Sequence, residues 1–217
     1  MNLTATDQYR LFKIGLAAGL AATIMYPSRA FLPLPSWLLT PFWIFFGPTL
    51  ILAFVGLYPF ITRGADRLLA LFYAISGIIT GAFHMSFTVV QSTNLSYIRP
   101  HIRNAVDEGS KEIWSNVLSG VFTVQNGLNY VTDFFLDSTV LLAGVMMWRH
   151  PRFGPVFTVL AFASGGLHMA LKYITFPKPP ASAGLFDAGP AVGIFWAVVT
   201  VKMITDMKWF KNELELN

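Results

Sequence analysis

The chain reads as an all-α protein, a polytopic membrane helix bundle of about six transmembrane helices. Three observations predict this. Apolar types make up 54% of the 217 residues and charged types only 12%, against roughly 25% charged in a soluble domain. The charges are confined to short stretches between long apolar runs. Those runs show no strand-like alternation, and backbone groups in hydrocarbon must be satisfied within the segment, so helices are selected over a closed barrel.

A span needs roughly 20 residues at 1.5 Å each. On that measure the spans fall at 11–26, 37–61, 68–91, 128–148, 156–176 and 188–207, all in a single transmembrane domain. The first is short, and Lys13 is expected to snorkel to the interface. No small-residue cleavage site follows it, only Tyr26, Pro27 and Arg29, so the first helix is expected to be retained. The second contains Pro41, Pro48 and Pro59 and is expected to tilt or kink. Between the third and fourth spans lies the long stretch 92–127. Its end, IWSNVLSGVFTVQNG, is amphipathic and reads either as a helix lying in the interface or as an outward extension of the fourth span.

Trp37, Trp148 and Trp209 sit near span ends, as interfacial belt residues do, and Trp114 fits the interfacial stretch. The loop cations Arg10, Lys13, Arg63, Arg67, Arg149, Arg152, Lys208 and Lys211 outnumber Arg29, Arg99, Arg103, Lys111 and Lys178 on the other side. The positive-inside bias therefore favours both termini in the cytoplasm.

Several function classes are excluded. With no cysteine there is no disulfide, thiolate metal site or cysteine nucleophile. No basic stretch is long enough for nucleic acid, despite a net charge of +4. There is no HxxxH zinc pattern, no GxSxG and no P-loop. No motif identifies a cofactor.

What remains is a set of polar residues inside the spans, where each is costly and so marks a candidate site. The fourth span carries Asn129, Asp133 and Asp137, with Gln125 just before. They are spaced by four and form one stripe on one helix face. The third span contributes His84; the fifth contributes His168, Lys172 and Tyr173. At ~1.5 Å per residue, Asp133 and Asp137 lie roughly 7 and 13 Å below the outer boundary, and His84 and His168 about 10 and 12 Å. Neighbouring spans run in opposite directions, so this shared depth predicts one common pocket. Asp137, Asp133, His168 and His84 are the candidate catalytic residues, and Asn129, Lys172, Gln125 and Tyr173 the candidate substrate-binding ones.

Two carboxylates one turn apart in low dielectric do not both ionise easily without a cation or imidazole partner, the condition a proton donor or relay needs. The structural alternatives are a histidine bonded to a backbone carbonyl and an Asp133–Lys172 salt bridge. The echo between SGIITGAFHMSF and FASGGLHMALKY, each with Gly-x-x-His-Met, reads either as a duplicated helix pair or as the small-residue enrichment of packed membrane helices. Lys202 and Asp206, four apart, read as a pair at the end of the last span. Asp187 reads as a cap of the last span or as a cover over the pocket.

The runs MWRHPRFG (Met147–Gly154) and TFPKPPASAGLFDAGP (Thr175–Pro190) resemble a broad set of bacterial multi-pass membrane proteins grouped as a domain of unknown function. The resemblance covers the C-terminal part only. It implies a compact helical bundle in a bacterial inner membrane and supplies no catalytic residue.

Four functions fit this pattern. One is an intramembrane enzyme doing acid/base chemistry on an isoprenoid, quinone or lipid-like substrate. The second is a small-molecule carrier or proton-coupled transporter. The third is a bis-histidine haem or His/Asp metal protein, and the fourth an accessory membrane subunit. The expected partners are membrane lipid, a lipophilic small molecule and a second copy of the chain.

Overall fold

The computed structural model describes residues 3–31 and 36–215; for 26, 27, 29–31 and 36–40 it describes the backbone alone. Trp37 and Arg29 therefore lie outside the described side chains. The described residues form nine α-helices and no strand. They are α1 (Ala5–Phe31), α2 (Ser36–Ile61), α3 (Arg67–Thr93), α4 (Arg99–Arg103), α5 (Glu108–Met147), α6 (Pro155–Ala161), α7 (Leu167–Thr175), α8 (Gly189–Thr205) and α9 (Met207–Glu215). One π-helical turn, Asn94–Ile98, joins α3 to α4, and another, Phe162–Gly166, joins α6 to α7.

Four of these stretches are long and apolar enough to cross a membrane: Pro41–Ile61, Arg67–Arg103, Glu108–Met147 and Pro155–Thr175. The pair α8 and α9, bent by 57° at Asp206, makes a fifth if counted as one span. The chain is thus a membrane-type helical bundle. The described part of α1 does not join this set, although the helix is 27 residues long. Helices α2, α3, α6 and α8 begin within one residue of the expected starts, whereas α1 begins at Ala5 and α5 at Glu108, well before them. The stretch before the fourth span extends that span, so that α5 is one continuous helix of 40 residues, or about 60 Å.

Local signals explain the helix ends. Asp66 accepts the N–H groups of Leu68 and Leu69 at the start of α3, and Asp107 accepts that of Ser110 at the start of α5. Gly64 and Gly154 turn the chain with φ of 75° and 73° before α3 and α6. The prolines of the second span interrupt nothing at this level: α2 runs through Pro41, Pro48 and Pro59.

Lipid offers no hydrophobic driving force between helices, so close backbone contact and dispersion hold a bundle together. Gly15 of α1 and Gly56 of α2 meet so closely that a Cβ on either would fall 2.3–2.4 Å from the other's backbone. Gly81 of α3 sits equally tightly against the Gly47 carbonyl, and Gly144 of α5 against Ala161. At one end of the bundle, Phe12, Phe60, Phe153, Trp209 and Phe210 interlock, with Phe12 stacked on Phe60 at 5.1 Å and edge-on to Phe210 at 4.7 Å. Trp209 thus serves this cluster, whereas Trp148 is exposed. Trp114 packs on His101 and Tyr97 between α4 and α5. Buried Asp206 ties the α5–α6 turn to the α8–α9 bend: it accepts from Arg152 and from Lys202.

His150 closes the same end. Its Nε2 donates to the Phe60 carbonyl at 2.9 Å and its Nδ1 accepts the Arg152 N–H at 3.1 Å, so the imidazole is held neutral in one tautomer. Burial pushes its pKa below the ordinary value, against the opposing effect of the bond to Phe60. On unfolding, the imidazole regains its ordinary affinity for protons near pH ~6.5. The folded state therefore keeps this contribution in full above that pH and loses it as the pH falls further. Thermal unfolding in detergent should show a lower midpoint at pH 5.5 than at pH 8. In His150→Gln the difference between the two midpoints should shrink.

Candidate functional site

The polar stripe of α5 faces α7, and the two helices run antiparallel, so partners step in opposite directions along them. Gly144 meets Ala161, and one turn back along α5 Val140 meets Gly165. Then Asp137 meets His168, and Asp133 meets Lys172. Each rung follows from the three- and four-residue spacing of a helix face. Two small-residue rungs bring the backbones close, and two ionic rungs continue the seam outward. The π turn Phe162–Gly166 ends one residue before the helix that carries His168; such turns occur mostly as single insertions and often at functional sites.

Asp137 is fully buried and His168 nearly so. Their bond, Nδ1 to Oδ1, measures 2.9 Å. With the carboxylate ionised, the imidazole donates from Nδ1 and leaves Nε2 for chemistry, the arrangement in which a carboxylate orients a catalytic histidine. The second oxygen of Asp137, Oδ2, is buried and hydrogen-bonded to nothing among the described residues.

On the other side of the ring, Nε2 lies 3.9 Å from Oδ1 of Asp187, whose side chain is 56% exposed. That gap exceeds a hydrogen bond and suits a bridging water or a ligand atom. Asp187 also accepts the Gly189 N–H at 2.9 Å just before α8, whose N-cap residue is Ala188 rather than Asp187. Gly189 keeps the approach open, since a Cβ there would sit 3.5 Å from Nε2. The turn that carries Asp187 is shaped by a cis Phe176–Pro177 bond, the 3₁₀ turn Pro180–Ala183 and Gly184 at φ 80°.

One turn outward, Lys172 pairs with Asp133 at 2.5 Å, and Asn129 donates to the same Asp133 oxygen at 3.2 Å. Asp133 is therefore neutralised by a cation, and Asp137 is left to His168. Two carboxylates on one face are tolerated because each has its own basic partner.

No known protein family, characterised protein or solved structure matches this chain. Its site can be read only from its own geometry.

Three expected members fall elsewhere. His84 does not join the carboxylates. It faces α2, with ring contacts to Trp43 and Phe46, and Phe87 beside it. The α3 helix turns this residue toward α2 rather than α7, and counting residues along a span says nothing about azimuth. Gln125 accepts from Asn94 at 2.7 Å and so ties the π-helical turn after α3 to α5. Tyr173 is 76% exposed, because the residue after Lys172 points about 100° away on a helix. With His84 and His168 in separate surroundings, the bis-histidine haem arrangement is not formed. No group of three His, Asp or Glu side chains that could hold a metal ion occurs among the described residues. Sequence reading missed the junction partner Arg152, which lies far from Asp206 in the chain.

Proposed function

We propose that this integral membrane protein performs proton transfer on a lipophilic substrate, with His168 as the acid–base group and Asp137 as the carboxylate that orients it. The observation that carries this reading is the line Asp137–His168–Asp187, which runs from a sealed carboxylate through an imidazole to an exposed carboxylate. Nε2 is the atom that meets the substrate or a bridging water. Asp133 and Lys172 neutralise one another beside it and keep the outer rung polar without adding net charge.

The surroundings favour an isoprenoid, quinone or lipid-like substrate over a polar one. Phe176, Phe186, Ile174 and Phe134 are exposed on the elements around the site. An exposed apolar surface in a membrane protein faces lipid, which is where such a substrate travels.

A substrate-independent test follows. Purified protein is reconstituted with a panel of isoprenoids, quinones and lipids in deuterated water, and the products are screened by mass for deuterium incorporation. Incorporation by the parent protein that is lost in His168→Ala supports the assignment. Undiminished incorporation in that variant sinks it.

Proton-coupled carriage is the second reading. It is favoured by the same run of ionisable groups from interior to surface, which conducts a proton as readily as it donates one. Proteoliposomes separate the two: pH-driven flux without chemical change to the cargo supports carriage. Under either reading the loop-cation bias favours both termini in the cytoplasm.

A further inference from the structure

A guanidinium carries five N–H donors in a fixed fork, and where it is drawn into a protein it is ordinarily met by an anion. Arg152 meets Asp206, and the lysine of the α5–α7 seam, Lys172, meets Asp133. Arg63, half-buried in the turn after α2, forms no ion pair among the described residues. It is nevertheless held in place. One of its Nη groups donates to Oε1 of Gln8 at 3.2 Å, and the guanidinium lies over the Phe210 ring at 5.4 Å. Gln8 is anchored in turn, since its amide donates to the Leu3 carbonyl at 3.1 Å. The protein therefore positions this cation and leaves its charge without a counter-ion.

Arg63 borders an open cleft of about 400 Å³, within the roughly 300–1,000 Å³ typical of small-ligand sites. Leu3, Tyr58 and Pro59 give the cleft an apolar side, and Gln8 and Arg63 a polar one. Gly64 adds no side chain to the wall: its φ is 75°, and a Cβ there would meet nothing within 4 Å. The carboxylates on the same two segments are committed to helix starts. Asp7 accepts from the Thr4 hydroxyl beside the first turn of α1, and Asp66 accepts the Leu68 and Leu69 N–H groups of α3. Arg10 and Arg67 are exposed on those segments, so the surroundings of the cleft are cationic. Its level in the bundle is defined as well. One apolar span ends at Ile61 and the next begins at Arg67. Residues 58–64 thus straddle the boundary between hydrocarbon and water, where the phosphates of lipids lie.

We propose that this cleft binds a phosphate group, with Arg63 as its counter-ion. The planar fork of arginine matches two phosphate oxygens at once, which a lysine does not. The cleft is much larger than a phosphate ion, so the group it takes carries a substituent. Its boundary level and its apolar side favour an anionic phospholipid, with the glycerol and first methylenes against Tyr58 and Pro59, over a soluble phosphate ester. The site lies at the α2–α3 turn, apart from the Asp137–His168 centre, and does not depend on what that centre does.

The test is native mass spectrometry of the purified full chain in detergent, titrated with phosphatidylglycerol, with diacylglycerol and, in a separate arm, with glycerol 3-phosphate. Phosphatidylglycerol is expected to be retained and diacylglycerol, which lacks the phosphate, is not. Arg63→Gln should lower the apparent affinity about tenfold, the loss of roughly one charge-assisted hydrogen bond. Arg63→Lys, which keeps the charge without the fork, should fall between the two. Arg67→Gln removes an exposed cation of the same turn that does not border the cleft, and should change little. Thermal unfolding without lipid establishes which variants are folded; if Arg63→Gln is not, Arg63→Lys carries the comparison. Arg63-dependent binding of glycerol 3-phosphate without retention of the lipid supports the phosphate site and assigns it to a soluble ester. Equal retention by every folded Arg63 variant, an equal loss in Arg67→Gln, equal retention of diacylglycerol, or no binding of either phosphate compound would overturn the proposal.

Discussion

Replacing Asp137 with asparagine is expected to lower proton exchange into the substrate by roughly 10²–10⁴-fold, the usual contribution of a positioned acid–base group. The change is nearly isosteric and keeps a hydrogen-bonding side chain opposite Nδ1 of His168. It removes the negative charge that stabilises an imidazolium, and an amide that presents its N–H to Nδ1 selects the tautomer with the proton on Nε2. The loss should fall on the chemical step and alter the pH profile, because His168 then titrates without its carboxylate. Asp133→Asn should cost much less, since that carboxylate meets Lys172 and Asn129 rather than the imidazole. The check is the deuterium-incorporation rate across pH 5–9 for both variants. If the two substitutions have equal effects, Asp137 is merely part of a polar patch and has no privileged place beside the histidine.

The second large effect concerns the fold. Gly56→Leu should strongly destabilise the bundle or displace α1, because even a Cβ at this position lies 2.3 Å from the Gly15 Cα. Inserting methylenes into a packed contact typically costs ~1–3 kcal/mol, and here the obstacle is backbone, which cannot rotate out of the way. Gly193→Ala is the matching control. It lies within α8, and its Cβ would meet nothing within 4 Å, so it should be neutral or gain up to ~1 kcal/mol of helix propensity. Unfolding titrations of the purified protein should place Gly56→Leu below the parent and Gly193→Ala at or above it. A neutral Gly56→Leu would mean that α1 does not pack on α2 in this way.

These predictions separate two kinds of information. The stripe Asn129, Asp133, Asp137 was legible in sequence because four-residue spacing needs only helix geometry. The pairing of that stripe with His168 and Lys172 was half legible: the same spacing on an antiparallel neighbour makes ionic rungs available, once the two helices are known to touch. His84 was misassigned because residue counting along a helix measures depth but not which neighbour the residue faces. Gln125 carried the same spacing as the site residues and was claimed by Asn94, a partner brought in by the packing of α3 on α5. Nothing in the local sequence marked Arg152 as the partner of Asp206, since the two meet only when α8 returns to the α5–α6 turn.

The sequence by itself determined that this is a helical membrane bundle and which faces of α5 and α7 are polar. Those properties depend on hydropathy, on spacing and on the obligation of a backbone in hydrocarbon to bond to itself, all of which are local. Only the tertiary structure decided that Asp137 takes His168 while Asp133 takes Lys172, that Asp187 reaches the far side of the imidazole, and that His84 faces the aromatic rings of α2. Those outcomes depend on helix azimuth and register, which are set by contacts such as Gly15 on Gly56 and Gly165 on Val140 between residues far apart in the chain.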